Sequence, residues 1–301
     1  MNILHLDHGR EMRGGQLQVI RLMRGLRERG HGVVLLARKA GPLLETAMRE
    51  RFNADVLSIE ALRGLSRKAN LVHAHDARSH LFAALFSRKP LVVSRRVVFP
   101  VGRGLWSRWK YGRANAFAAV SFAVAEELKK AGVAESKIRV IYDGVPLLPE
   151  SWDPAGPVLI PRSADKRKGN DLALEAVRRA GAPELLSRNI QEDLRGAGLL
   201  VYITESEGLG SAALLAMSAG VPVVASDVGG LKEFVLNGET GVRVRNQVDA
   251  IAEAIRALRD RPEDAGKLGA QARKMVTAKF TVDRMVTETL DFYERVLSAS
   301  S

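Results

Sequence analysis

An acidic residue followed by glycines marks the stretch of the chain with the clearest potential for chemistry. Glu207 precedes Gly208 and Gly210, and a run rich in alanine, leucine and methionine follows at helical spacing. We predict a glycine-lined loop and a helix that begins at about Ser211. The free N–H groups at a helix N-terminus suit a phosphate group. The stretch therefore predicts an anion site, although a turn whose glycines only let the helix pack on a sheet fits the same residues.

A basic loop lies upstream, between a predicted strand at residues 158–160 and the helix that follows it. Arg162 and Lys168 are six residues apart, and Gly169 comes next. Two cations in such a loop can hold a diphosphate. A loop that only faces solvent is the alternative interpretation.

The fourth predicted strand ends in the sequence His-Ala-His-Asp. Strand alternation places His73 and His75 on one face, at the carboxyl edge where open α/β sheets bind ligands, with Asp76 beside them. The spacing offers a metal two ligands and no evident third, so we predict no metal site. A histidine that only closes the strand end fits equally well. Gly14 and Gly15 follow the first strand and allow close backbone approach to a ligand, but without the spacing of a dinucleotide fingerprint.

The net charge of +12 is carried by one half of the chain. Residues 1–150 contain 26 Lys and Arg against 13 Asp and Glu, and residues 151–301 contain 20 against 21. This asymmetry favours an anionic partner for the first half. The absence of cysteine excludes disulfides and thiolate metal sites. Residues 1–20 contain no long apolar run, so we expect neither a signal peptide nor a membrane span. We therefore expect a cytoplasmic location.

Residues 95–113 are the most basic and aromatic part of the chain. Seven of these residues could contact a membrane or another anionic partner: Arg95, Arg96, Arg103, Trp106, Arg108, Trp109 and Lys110. Tryptophan settles at membrane interfaces, and basic residues attract anionic lipid. A nucleic-acid surface has a similar composition but is less favoured, and a helix with inward tryptophans is the third interpretation.

Strands and helices alternate along the chain, which predicts an α/β protein with two Rossmann-like domains. Seven strands fall within the first 142 residues, and prolines between residues 146 and 157 indicate a linker. We predict a first domain at residues 1–148, a second domain at residues 149–281, and a terminal helix at residues 282–301.

The sequence resembles the family 4 glycosyltransferases, retaining enzymes of the GT-B fold. Their signature is a glutamate, seven residues, a second glutamate and an Ala-Met-Ala-x-Gly-x-Pro-Val-Val run; here Glu207 matches the first acid and AMSAGVPVV matches the run. His75, the Arg162 and Lys168 pair, and the Asp-Gly-Val at residues 143–145 match further motifs. The resemblance covers most of the chain.

The resemblance implies transfer of a sugar from a nucleotide diphosphate sugar to an acceptor hydroxyl with retention, without metal or other cofactor. His75 would line the reaction centre, Glu207 would hold sugar hydroxyls, and Arg162 and Lys168 would neutralise the leaving diphosphate. The donor would also contact two loops and the start of a helix: Gly14, Gly15, Gly208, Leu209, Gly210, Ser211 and Leu215. The resemblance makes residues 1–148 the acceptor-side domain, with residues 95–113 facing the acceptor, and residues 149–281 the donor domain, with the terminal helix packing back on the first domain. A lipid-linked or anionic glycan acceptor is implied, which suggests peripheral contact with the inner membrane face.

Two departures from the family pattern concern nucleotide recognition. Leu215 stands where the family has its second glutamate, which takes the ribose hydroxyls, and leucine cannot accept a hydrogen bond. After residue 180 we find no counterpart of a strand, helix and strand of the family, so we predict a second sheet truncated to about four strands. A non-catalytic or minimised relative therefore stays open, as does a nucleic-acid or membrane binder.

Overall fold

The computed structural model describes residues 1–102 and 104–299, which form two compact units. The first unit comprises residues 1–144 and the helix that begins at Val282, and the second comprises Val145–Thr281. Arg103, which we predicted on the acceptor or membrane side, lies outside the described residues.

Residues 1–144 alternate strands and helices. The strands are β1 Asn2–Asp7, β2 Gly32–Ala37, β3 Asn53–Val56, β4 Leu71–Ala74, β5 Leu91–Arg95, β6 Ala116–Ala119 and β7 Ile138–Val140. The helices are α1 Gly14–Glu28, α2 Pro42–Arg49, α3 Ile59–Lys68, α4 Ala77–Phe86, α5 Leu105–Gly112 and α6 Phe122–Lys130. A 3-10 turn at Glu135–Lys137 precedes β7.

The seven strands form one parallel sheet in the order β3-β2-β1-β4-β5-β6-β7. The strand order reverses direction between β1 and β4, and ligands of open α/β sheets bind at such a point. In this pair His5 lies directly beside His73. The register therefore brings the first strand's only histidine next to the His-x-His motif.

The third strand lies three residues earlier than predicted. The alternation of strands and helices predicts this strand at residues 56–59, but the strand is Asn53–Val56 and Ile59 opens α3. The Ser58 hydroxyl caps this helix by accepting a hydrogen bond from the Ala61 N–H at 3.1 Å. A helix cap thus outweighs the strand propensity of the isoleucine.

The second unit has its own parallel sheet and helices. Its strands are β8 Val158–Pro161, β9 Glu184–Ser187, β10 Leu199–Tyr202, β11 Val223–Ser226 and β12 Val242–Val244. Its helices are α7 Asn170–Arg179, α8 Ile190–Asp193, α9 Ser211–Ser218, α10 Val248–Arg259 and α11 Pro262–Lys279, with 3-10 turns at Lys166–Lys168 and Gly229–Glu233.

This sheet has five strands in the order β12-β11-β10-β8-β9, one more than the predicted four. The additional strand is β9, in a segment that we had predicted to run almost directly into a helix. It pairs with β8 at the edge of the sheet and leaves Leu185 39% exposed. An edge strand that is half open to solvent lacks the continuous apolar run by which the inner strands are recognised.

The last helix, α12 Val282–Ser298, belongs to the first unit. It buries Met285, Val286 and Tyr293 in that unit's core. A Cβ added at Gly25 of α1 would lie 2.5 Å from a Val286 methyl carbon, so the two helices are in close contact there. Within the described part of the chain, every helix is too short or too polar to cross a bilayer.

Candidate functional site

The loop between β10 and α9 is built around Glu207. The helix begins at Ser211, as predicted, and its N-cap is Gly210 with φ +106°, a conformation that favours glycine. The structure describes no side chain that caps this end, so the first N–H groups of the helix keep their hydrogen-bonding capacity. Leu215, on the same helix, is 6% exposed.

Glycines of a second segment press closely on this loop. A Cβ at Gly229 would lie 2.1 Å from the carbonyl oxygen of Glu207, and one at Gly230 would lie 2.1 Å from that of Gly208. The Gly230 N–H donates to the Glu207 carbonyl at 3.1 Å. The start of the Gly229–Glu233 turn therefore fixes the backbone of the acidic loop.

The Glu207 carboxylate collects three donors. Its Oε2 accepts from Lys168 Nζ at 2.5 Å and from the Tyr202 hydroxyl at 2.5 Å, and its Oε1 accepts from the Gly208 N–H at 3.1 Å. The side chains of Glu207 and Lys168 are 15% and 31% exposed. Burial and the Glu207 carboxylate raise the pKa of Tyr202 well above its ordinary value, so the hydroxyl stays protonated and donates.

The basic loop is tied to the acidic loop by its backbone. The Arg167 carbonyl accepts from the Glu205 N–H at 2.9 Å, and Gly169 turns the chain with φ +55°. Of the two predicted cations, Lys168 forms an ion pair with Glu207. The side chain of Arg162 is exposed, and its backbone N–H donates to the Ser187 carbonyl at 2.8 Å. The structure thus joins Lys168 and Glu207 directly and places Arg162 at the start of the same loop.

His75 of the first unit belongs to a buried group that we call the histidine cluster: His5, His73 and His75. His5 Nδ1 lies 2.9 Å from His75 Nε2, and the ring of His73 packs 4.0 Å from that of His75. His73 is held by the Tyr293 hydroxyl at 2.6 Å and by the Ser94 hydroxyl at 2.8 Å. Burial lowers the pKa of His5 to about 3 and lowers those of His73 and His75 well below their ordinary value. The three imidazoles are therefore neutral at pH 7.

Arg96 connects the histidine cluster to the end of the sheet. Its Nη1 lies 3.4 Å from His75 Nδ1, and its Nε donates to Asp143 Oδ1 at 3.1 Å. Arg96 was predicted in an exposed basic segment, but its side chain is only 16% exposed. Burial raises the pKa of Asp143, and the Arg96 cation opposes that shift.

The metal prediction was argued from two histidines, and His5 supplies the third that sequence reasoning missed. A polar residue inside the apolar first strand was the available signal, but only the register of β1 and β4 shows that it faces His73. Five of the six ring nitrogens already have partners, and only His5 Nε2 has none among the described residues. A metal would have to displace these hydrogen bonds beside the Arg96 cation, so we keep the prediction of no metal.

The carboxyl end of β1 leads into the glycine loop. Asp7 is 1% exposed and its Oδ1 accepts from the Gly9 N–H at 2.7 Å and from the Gln16 amide at 3.2 Å. Burial, together with the charge of Asp76, raises the pKa of Asp7. Gly14 opens α1, and a Cβ at Gly15 would lie 3.7 Å from Arg96 Cδ. Asp76 caps α4 by accepting from the Arg78 and Ser79 N–H groups.

The basic and aromatic segment forms α5, a helix with no buried residue. Leu105 is 84% exposed, Trp106 76% and Trp109 39%. Arg108 is also exposed, whereas Arg95 turns to the Tyr111 hydroxyl at 2.9 Å and Lys110 is half-buried. Tryptophans that point outward exclude the interpretation of an inward-packed helix.

Comparisons with known proteins match each unit to a glycosyltransferase family model. Residues 12–147 match the family model Glycosyltransferase Family 4, and residues 184–275 match Glycosyl transferases group 1. A glycogen synthase of Mycobacterium tuberculosis is 37% identical over 101 residues, which cover 33% of this chain and 24% of that protein. A GDP-mannose-dependent alpha-(1-6)-phosphatidylinositol monomannoside mannosyltransferase of the same organism is 39% identical over 99 residues, with coverage of 33% and 24%. The matched part therefore spans about a quarter of these relatives.

Solved structures match nearly the whole chain. The Anabaena protein HepE in complex with UDP has a TM-score of 0.87 at 16% identity, covering 98% of this chain and 100% of that one. A glycosyltransferase from Rickettsia africae has a TM-score of 0.80 at 18% identity, with coverage of 98% of both chains. At such identities the likeness concerns the fold, and it confirms the predicted GT-B architecture.

Proposed function

Because the chain belongs to the family 4 glycosyltransferases of GT-B fold, we propose that it transfers a sugar from a nucleotide diphosphate sugar to an acceptor hydroxyl with retention at the anomeric carbon. The observation that carries the proposal is the meeting of Lys168 with Glu207 beside the uncapped N-terminus of α9. A cation and free N–H groups suit a diphosphate, and a carboxylate suits sugar hydroxyls.

Charge develops on the diphosphate as the sugar leaves it. Lys168, Arg162 and the N–H groups at the start of α9 would offset that charge without reorganising at the moment of reaction. Glu207 would accept hydrogen bonds from sugar hydroxyls. In the first unit, His75 is neutral and its ring nitrogens meet His5 and Arg96, so its part in transfer would be played through hydrogen bonds and not as a cation.

The chain supplies these cations itself, so we propose that transfer needs neither metal nor a cofactor beyond the donor. Sugar transfer measured in excess EDTA should match that without chelator. Loss of transfer in EDTA and its recovery with Mg²⁺ would contradict this part of the proposal. Retention is checked by the anomeric configuration of the isolated product.

Binding measurements test the donor site. We expect titration calorimetry with UDP, GDP and ADP to show binding of at least one, with thermal stabilisation of a few kcal/mol at saturating ligand. Lys168→Ala should weaken that binding roughly ten- to a hundredfold, because it removes a charge-assisted hydrogen bond. Lys267→Ala is the matched control, since Lys267 pairs with Asp264 on α11 and should bind like the wild type. Absence of binding for all three nucleotides would sink the proposal.

Leu215 supports a second candidate, a non-catalytic relative that keeps the fold. The side chain is buried in α9 and offers the ribose no acceptor. Millimolar or absent binding of UDP, GDP and ADP would favour this candidate over the enzyme, as would nucleotide binding without turnover across sugar nucleotides and acceptors.

The α5 helix supports an acceptor that lies at a membrane. Leu105 and Trp106 are exposed apolar side chains, and Arg108 stands between them and Trp109. Such a helix suits an anionic bilayer, where apolar side chains enter the interface and cations face the lipid headgroups. A lipid-linked or anionic glycan acceptor would be met at that surface.

Vesicle sedimentation tests the membrane contact. We expect binding to phosphatidylglycerol vesicles and not to phosphatidylcholine vesicles, and Leu105→Ala with Trp106→Ala should reduce it several-fold. Met48→Ala is the control, because Met48 is 56% exposed on α2 of the same unit. Salt-sensitive binding to duplex DNA without vesicle binding would instead favour a nucleic-acid partner.

A further inference from the structure

Tyr202 is a residue of the candidate donor site that our sequence analysis did not assign. It is the last residue of β10, and its partly buried hydroxyl donates to Glu207 Oε2 at 2.5 Å. The same hydroxyl lies 3.5 Å from Lys168 Nζ, and that ammonium group lies 5.6 Å from the centre of the tyrosine ring. Tyr202 is thus the side chain that contacts both members of the ion pair.

The number of hydrogen bonds that Glu207 can accept limits how many sugar hydroxyls it can bind. An ionised carboxylate has about four lone-pair sites. Lys168 and Tyr202 occupy both sites of Oε2, and the Gly208 N–H occupies one of Oε1. Within residues 1–102 and 104–299, one acceptor site therefore has no donor, and a second becomes free only if Lys168 leaves.

We infer that Tyr202 is a positioning residue that holds the Glu207 carboxylate in place while Lys168 moves from it to the donor diphosphate. The inference rests on the proposed function. Lys168 then neutralises phosphate, and the vacated site on Oε2 joins the free site on Oε1 to accept two sugar hydroxyls. With Lys168 gone, Tyr202 and the Gly208 N–H are the contacts that keep the carboxylate oriented.

The exchange couples the two halves of the donor. A nucleoside diphosphate alone would bind Lys168 and leave its acceptor site on Glu207 empty. The sugar nucleotide would also bind Lys168, but one of its hydroxyls would donate to the site that Lys168 left. The contribution of Tyr202 should therefore be seen with the sugar nucleotide and not with the diphosphate. A side chain that only fills space would affect both ligands alike.

Calorimetry on Tyr202→Phe tests the inference, with the nucleotide that the wild type binds best and its glucose or mannose ester as probes. Affinity for the sugar nucleotide should fall roughly ten- to a hundredfold, as for loss of a hydrogen bond to a charged group, and affinity for the diphosphate should change less than about twofold. Tyr202→Met, which also fills the space without a donor, should give the same pattern. Ser218→Ala, a hydroxyl deletion at the other end of α9, should bind both ligands normally.

A double-mutant cycle separates positioning from packing. In a Glu207→Ala background, Tyr202→Phe should change sugar-nucleotide affinity less than about threefold, because the group that it positions is absent. Equal losses for diphosphate and sugar nucleotide, or additive effects in the cycle, would overturn the inference while leaving the proposed function standing. Failure of the wild type to bind any probe would overturn both.

Discussion

The two polar groups of this protein lie at the carboxyl ends of two parallel sheets but differ in charge. The histidine cluster of the first unit is buried and neutral, whereas Lys168 and Glu207 of the second unit are charged and partly exposed. Deep burial penalises the charged form of an imidazole, while the Lys168–Glu207 ion pair lies partly open to solvent. The first group is suited to fixed hydrogen bonds, and the second to exchange partners with a ligand.

The contrast extends to titration. All six histidines lie in residues 1–144. Four of them are buried with lowered pKa values: His5, His73, His75 and His80. Acid between pH 7 and 5 should therefore act mainly on the first unit, whereas salt should act mainly on the ion pair of the second.

The largest effect is expected where the second unit tolerates no side chain. Gly230→Ala places a methyl group 2.1 Å from the Gly208 carbonyl oxygen. The contacted atom belongs to the backbone and cannot move aside as a flexible side chain would, so the loop must shift. We expect a loss of about 3 kcal/mol in the free energy of unfolding. Urea denaturation followed by tryptophan fluorescence measures it, in a Trp106→Phe and Trp109→Phe background that leaves Trp152 of the second unit as the reporter. Gly64→Ala in α3, where nothing lies within 4 Å, should instead be stabilising by roughly 0.5–1 kcal/mol.

The next effect sharpens the difference in titration. His80 is 1% exposed, and burial lowers its pKa to about 4. The unfolded chain takes up a proton near pH 6.5 and the folded chain does not, so stability is present above that pH and is lost as pH falls toward 4. Between pH 7 and 5 this histidine alone should cost about 2 kcal/mol.

Denaturation of His80→Gln at pH 7 and at pH 5 measures that contribution. The variant should show a pH dependence smaller by about 2 kcal/mol than that of the wild type. The raised pKa values of Asp7 and Asp143 act in the opposite direction, but both carboxyls are present in the wild type and in the variant. An unchanged pH dependence would show that folding does not lower the pKa of His80.

A smaller effect concerns the hydrogen bonds of the histidine cluster. Tyr293→Phe removes the hydroxyl at 2.6 Å from His73 Nδ1 and keeps the buried ring. We expect a loss of about 1 kcal/mol in the free energy of unfolding, typical of one neutral hydrogen bond. No measurable loss would mean that the cluster is held by packing alone.

The smallest effect concerns the ribose of the nucleotide, since we expect little difference in affinity between ribose and 2′-deoxyribose forms. Leu215 cannot accept a hydrogen bond from ribose, so the best-binding nucleoside diphosphate and its 2′-deoxy analogue should have affinities within about twofold of each other. Calorimetry with both ligands measures this. A tenfold preference for the ribose form would show that another residue contacts its hydroxyls.

The sequence predicted those features that depend on nearby residues. The glycine loop with its helix start at Ser211 and the fold class are confirmed. These features carry strong local signals, namely alternation and glycine turns. The edge strand β9 was missed because half of it faces solvent.

Features that depend on distant residues were less accessible. His5 joins the histidine cluster through a register between strands about 68 residues apart, and Tyr293 reaches it from the last helix. The inward turn of Arg96 follows from the position of Asp143, 47 residues away. No local pattern encodes such pairings, and composition alone made Arg96 a member of a surface segment.

The location of α12 in the first unit has a consequence for biosynthesis. Residues 145–281 hold every strand of the second sheet, so this unit can complete its core as soon as that stretch leaves the ribosome. The first unit begins earlier but finishes later, because Val286 and Tyr293 complete its core. Part of the apolar surface of the first sheet therefore stays uncovered in the nascent chain until more than a hundred further residues have been translated.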